Sequence, residues 1–349
     1  MTSRPRSRKF ATALLVAASL PLHAAETALT ANQSLPMPPR LQWNANDGYC
    51  GETSFISAGL YFGQYCSQYT ARALASPGIP QSLAASQLLL GVNDLQAAQA
   101  MHLAATAWKS SASRSSEDFL VWVESQILAG RPVAIGVFTN EYLFYNDKSP
   151  NAGDPTYDHI VPVLGISPSS PSAAPAYNPA DALTFSDNGL WNPSGPPAFI
   201  FTYLFGDFQL TRKQANAPSG PIYSLKTGGP NYGIAFSGVL DLNHDTVPVR
   251  LATSVDSELP AMINNFNTPP PARNLGLTVT VTLPDQNAAY NLYRYDNFVK
   301  VPNSKFNASA GRAAAHWRIP PHSGPVFVVK VQIRSNETAV FRAVKSTAP

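Results

Sequence analysis

Helical and strand periodicities divide this chain into an early helical stretch and a later β-rich one. Residues 50–75 carry an apolar face through Phe55, Ile56, Leu60 and Phe62, with no proline before Pro77, and predict a helix. Residues 81–108 predict a helix in two pieces around Gly91. Ser115 followed by Ser116, Glu117 and Asp118 is a capped helix start, and Gly130 stops that helix. Strands follow. Val133 to Phe138 is a short apolar run, and Ile160 to Ile166 a second one in which Pro162 argues for an edge or a bulge. Leu183 to Ser186 is a third, ending at Asp187-Asn188-Gly189. Residues 192–230 show no clean period. Beyond about Asn231, five runs alternate with period two: 234–242, 247–251, 277–283, 290–295 and 326–333. Residues 339–344 add one more. Helices first and strands later predict an α+β chain, with a boundary near residue 228 and a C-terminal antiparallel β-sandwich.

The chain has 349 residues, enough for one large domain or two ordinary ones. Only 13% are charged, against about 25% in an average domain, so polar neutral side chains must cover the surface. Part of the net charge of +3 lies in Arg4, Arg6, Arg8 and Lys9. No basic run lies outside that segment, which argues against a nucleic-acid partner. These four basic residues precede an apolar run of 11, Phe10 to Leu20; Pro21, Ala24 and Ala25 follow. The pattern predicts a secretory signal peptide over residues 1–25. Eleven apolar residues fall short of the roughly 20 that span a bilayer. The mature protein is therefore expected to be secreted or periplasmic, with no membrane span. Residues 26–40 read as a Pro-rich, extended lead-in.

Two cysteines, Cys50 and Cys66, allow one disulfide in an exported chain. A helix over residues 50–66 would hold them about 24 Å apart at 1.5 Å per residue. A disulfide needs Cα atoms within about 7 Å. Helix and bridge exclude one another. At a helix start, Cys50 faces the positive end of the macrodipole, which favours thiolate. Cys66 lacks that setting and reads as a structural thiol. A cysteine nucleophile needs an imidazole partner that is distant in sequence. His102, His244, His316 and His322 lie in runs or turns with no such arrangement. His159 stands at the mouth of a strand after a long polar loop. Asp187 ends the next strand and suits the third position of a triad, with Asn188 as the alternative.

Gly48-Tyr49-Cys50-Gly51-Glu52 before a helix resembles the nucleophile segment of papain-like cysteine peptidases and of the related bacterial bacteriocin-processing (double-glycine) peptidases. DHIVPVLGI resembles their histidine strand, and LTFSDNGLW the strand after it. The order, with AGRPVAIGVF between, also resembles the bacterial enzymes. The resemblance covers about residues 36–200. It implies a papain-like domain over residues 41–227 and an accessory β-sandwich over residues 228–349. It also implies Cys-His-Asp acyl-enzyme chemistry on a peptide or protein substrate, with Cys50, His159 and Asp187 in those roles. An oxyanion donor is implied about six positions before the nucleophile, where Asn44 stands; Gln42, eight before, is favoured over it. Glu52 departs from the pattern. It either complements the helix dipole or raises the Cys50 pKa.

Two further readings stay open. One is an inactive papain-like fold that binds a partner. The other is a related Cys-dependent acyl transfer or amide hydrolysis. No metal spacing and no cofactor motif occurs.

Overall fold

The computed structural model describes residues 32–37, 39–111, 113–169, 174–191, 199–254, 265–321 and 324–347. The leader, His322 and residues 192–198 lie outside them. The chain is α+β, built on antiparallel sheets. In order it forms β1 (Gln33–Ser34), α1 (Cys50–Tyr61), β2 (Gln64–Tyr65), α2 (Gln68–Ala75), α3 (Asp94–Ala100), β3 (Leu103–Ala107), α4 (Ser116–Leu128), β4 (Val133–Thr139) and α5 (Glu141–Tyr145). Next come β5 (His159–Ser167), β6 (Ala182–Ser186), β7 (Ile200–Leu204), α6 (Phe205–Phe208), β8 (Gln209–Leu210), α7 (Arg212–Ala215), β9 (Tyr223–Lys226) and β10 (Gly233–Val239). The remainder is all β: β11 (Thr246–Val247), β12 (Val249–Thr253), β13 (Asn274–Thr282), β14 (Tyr290–Tyr295), β15 (Ala315–Ile319), β16 (Val326–Arg334) and β17 (Ala339–Lys345).

A nine-stranded sheet runs β3-β10-β4-β5-β6-β7, with β1 added on β5, β9 on β4 and β8, in parallel, on β9. Its two faces carry different helices because strand residues alternate. Ala134 and Ile160 point to the face covered by α1, with Phe55, Ile56 and Phe236. Val133, Ile135, Val137, Val161 and Val163 point to the other face, covered by Phe119, Leu120, Val123 and Ile127 of α4. Both helix starts obey local rules. Ser115 and Asp118 form a reciprocal capping box at α4. α1 follows three residues with positive φ (Asn46 51°, Asp47 63°, Gly48 88°), and Gly63 at φ 74° prevents its continuation.

The predicted helix over 50–75 is therefore two helices with a β-bridge strand between them. Cys50 and Cys66 are both free thiols, as the helical reading required. The run 81–108 is corrected too. Its second half holds α3 and then β3, because His102 turns the chain at φ 53°. Pro162 lies in an interior strand opposite Ala134, and the pairing to β6 begins just past it at Val163, with a bulge before Gly165. The lead-in is not merely extended: Gln33 and Ser34 pair with Ile166 and Gly165.

The boundary near 228 is also corrected. β10, the first strand of the later run, inserts between β3 and β4 in the first sheet. The chain leaves that sheet only after Val239. Beyond it, β12-β13-β16 form one sheet and β11-β17-β14-β15 another, which β2 joins through β17. Buried residues of both, such as Val279, Val281, Leu292 and Phe341, merge with the α1 core. Thus α1 lies between the nine-stranded sheet and the C-terminal sheets, and Gly51 through Tyr61 are buried without exception. At roughly 25 cal/mol per Å² of apolar surface, such enclosure fixes the helix more firmly than any cap. Among the described residues no helix is long and apolar enough to cross a membrane.

Candidate active site

Cys50 is the first residue of α1 and is half-buried. Burial and then the Glu52 carboxylate push its thiol up to about 11, against the pull of the nearby Ile160 and Gly51 backbone N–H groups, which favour thiolate. The thiol opens onto a cleft of about 570 Å³ whose walls include Leu90, Tyr157, Asp158, Ile160 and Tyr232.

The turn before Cys50 is held from below by Arg72, which is fully buried. Its guanidinium donates to Asn46 O at 2.8 Å and to Gly48 O, and lies 3.7 Å over the Tyr49 ring. It pairs with Glu52 at 2.6 Å, and the same carboxylate oxygen accepts Leu88 N–H at 3.1 Å. The question about Glu52 is thereby answered. It is the counter-ion of a buried arginine, and it still raises the Cys50 thiol. Sequence reasoning missed Arg72, yet it is the only Lys or Arg between Leu41 and Trp108. A lone cation in so apolar a stretch needs a carboxylate, and that was the available signal.

His159 begins β5 and is 2% exposed. Alternation sends Ile160 toward α1 and His159 the other way, where its ring stacks 6.0 Å from that of Tyr223. Its Nε2 lies 2.9 Å from Asp187 O. A carbonyl only accepts, so Nε2 carries the proton and, in the neutral ring, Nδ1 is the basic nitrogen. Burial holds the imidazole down, to about 4, so the neutral ring prevails near pH 7. Among the described residues no hydrogen bond joins the Cys50 sulfur to this ring. The peptide between His159 and Ile160 lies close enough for its N–H to favour the Cys50 thiolate.

Asp187 stands behind the ring, but its carboxylate does not face it. That group accepts Gly189 N–H (2.9 Å), Trp191 N–H (2.9 Å) and the Tyr223 hydroxyl (2.8 Å). The expected carboxylate–imidazole contact is corrected to a carbonyl–imidazole contact. The carboxylate shapes the turn that presents the carbonyl. Burial raises its pKa against the pull of those three donors. Asn188, the alternative third member, does something else. Fully buried at φ 55°, it donates from Nδ2 to Cys50 O (3.3 Å), Ser54 Oγ (3.2 Å) and Ile160 O (3.1 Å). It ties the helix start to the histidine strand.

Gln42 reaches the same place. Its N–H donates to Asn188 O at 2.8 Å, and a Cβ on Gly48 would sit 3.6 Å from its Nε2. Among the described residues its Oε1 is buried without a hydrogen-bond partner. Asn44 is exposed. The structure thus brings Cys50, Ile160, Asn188 and Gln42 to one end of α1, with His159 and Asp187 across the sheet edge. Among the described residues no group of three or more His, Cys, Asp or Glu is set to hold a metal ion. No family model, curated protein or solved structure matched the chain.

Proposed function

We propose that this chain is an exported cysteine-nucleophile hydrolase of papain-like type that acts on peptide or protein substrates. The observation that carries the reading is the tautomer of His159. A ring whose Nε2 proton is committed to Asp187 O offers Nδ1 as a base, one peptide away from a thiol at a helix N-terminus.

With the thiol near 11 and the imidazole near 4, the resting site is a neutral pair. Proton transfer therefore accompanies attack. As Cys50 Sγ bonds to the acyl carbon, the His159 ring turns from its stack on Tyr223 toward the sulfur, the thiol proton passes to Nδ1 and the carbonyl becomes an oxyanion. The Gln42 side-chain amide and the Cys50 N–H at the helix start are the donors for that charge; one such donor is worth about 3 kcal/mol in related sites. His159 then protonates the leaving group, and water releases the acyl-enzyme. Asp187 keeps the tautomer through its carbonyl. The Cys50→Ala variant is expected to lose all turnover of a broad fluorogenic peptide set while keeping the circular dichroism of the wild type. Turnover equal to wild type in that variant would end the reading.

One observation favours a second reading, a binding protein on the same fold. The Asp187 carboxylate is turned from the ring and the thiol is held neutral. A protein that takes no label from a thiol-directed peptide probe, yet retains the peptide on a column, would support that reading.

A further inference from the structure

We propose that the β12–β13 connection, through Phe266 and Asn267, positions the turn that carries Cys50, so that the C-terminal β unit completes the catalytic site. The proposal rests on the hydrolase reading for its activity arm alone.

The turn needs help. Asn46 and Asp47 hold left-handed conformations, which side-chain-bearing residues adopt only when their surroundings over-determine them. Phe266 supplies part of that constraint. Asn46 Nδ2 donates to Phe266 O at 3.0 Å, and Phe266 N–H donates to Asn46 Oδ1 at 2.7 Å. This reciprocal pair fixes the Asn46 side chain in place and orientation. The Phe266 ring lies 5.7 Å from Trp43, 6.0 Å from Tyr49 and 6.3 Å from Tyr69. Trp43 adjoins Gln42, and Tyr49 precedes the thiol. Asn267 extends the grip: its Oδ1 accepts Ser82 N–H at 3.1 Å and its carbonyl accepts the Tyr69 hydroxyl.

The connection is stiff where it returns to β13. Pro269, Pro270 and Pro271 each fix φ near −65°, and Arg273 bonds Ser335 through both backbone and hydroxyl. The same β unit holds the other end of α1. Arg250 donates to Tyr61 O at 2.5 Å, and Arg342 to Phe62 O at 3.3 Å. The nucleophile helix is thus fastened at both ends by residues far along the chain. A docking module for substrate would not need either contact.

The test uses the full chain as wild type, Phe266→Ala and Phe266→Tyr. Iodoacetamide labelling of Cys50 and Cys66 is followed by peptide mass spectrometry from pH 7 to pH 10, beside peptide hydrolysis. Buried Cys66 reports unfolding. In Phe266→Ala the relaxed turn uncovers the thiol. Cys50 labelling is then expected to speed up by about tenfold at pH 8 for each unit its pKa falls. Over the same change kcat drops while Cys66 stays protected, and Phe266→Tyr restores both. General destabilisation would speed the labelling of buried Cys66 as well, so protection of Cys66 separates the two causes. An unchanged Cys50 profile in Phe266→Ala, with Cys66 protected, overturns the proposal. If Cys66 labels in that variant, Phe266→Leu repeats the comparison with apolar volume kept, and an unchanged Cys50 profile there overturns it equally. A wild type without turnover defeats the hydrolase reading, and the labelling arm then decides the brace by itself.

Discussion

The two ends of α1 are each held by buried arginine, but only one end employs a carboxylate. At the C-terminal end Arg250 and Arg342 donate to Tyr61 O and Phe62 O, and no acid lies within ion-pair distance among the described residues. The orphan carbonyls and the negative end of the macrodipole complement these cations. At the N-terminal end the dipole is positive and opposes a guanidinium. Arg72 stays there because Glu52 pairs with it at 2.6 Å and because Asn46 O and Gly48 O accept its remaining protons. The difference teaches what Glu52 is for. The positive end of a helix hosts a buried arginine only beside a counter-charge, and the acid that supplies it raises the thiol it adjoins.

The comparison breaks first under substitution. Arg72→Ala leaves Glu52 buried and uncompensated, and is expected to cost about 3–5 kcal/mol of stability in urea unfolding. Arg342→Met strands acceptors but no charge, and should cost less, about 2 kcal/mol. Equal losses would refute the idea that the two ends are electrostatically unlike.

A smaller effect sharpens the contrast between the helix side of the site and the strand side. Burial holds His159 near 4, below its unfolded value of about 6.5. The unfolded chain therefore binds the proton first. This stability is fully present above pH 6.5 and is lost as the pH falls toward 4, with a slope of up to about 1.4 kcal/mol per pH unit. His102, also lowered by burial, adds in the same direction. His159→Gln should flatten the slope in urea titrations at pH 4–7, whereas Arg72 variants should not. A slope unchanged by His159→Gln would show that the ring is not buried neutral.

Local signals in the sequence placed the starts of individual elements better than they placed the architecture. Cys50 does begin a helix, His159 does open a strand, and Ser115 does cap α4, because each depends on a few adjacent residues. Tyr290–Tyr295 is a strand with the expected ends. What failed was long-range. Nothing near Gly233 indicates that β10 joins β3 and β4, since pairing partners more than 90 positions away leave no periodic trace. The break in the helix after Tyr61 turns on one glycine whose neighbour is Val249. Phe266 sits 220 positions from Asn46, so its brace was invisible. The orientation of the Asp187 carboxylate depended on Tyr223, in a stretch that showed no period.

The central claim is that Cys50 carries the acyl group. Wild type and His159→Ala, quenched in acid during turnover of an activated peptide ester, would be digested and mapped by mass spectrometry. The account predicts the acyl mass on the peptide containing Cys50, none on Cys66, and slower clearance of the adduct in His159→Ala. Turnover with no adduct on Cys50 in either protein, or with the label on Cys66, would contradict it.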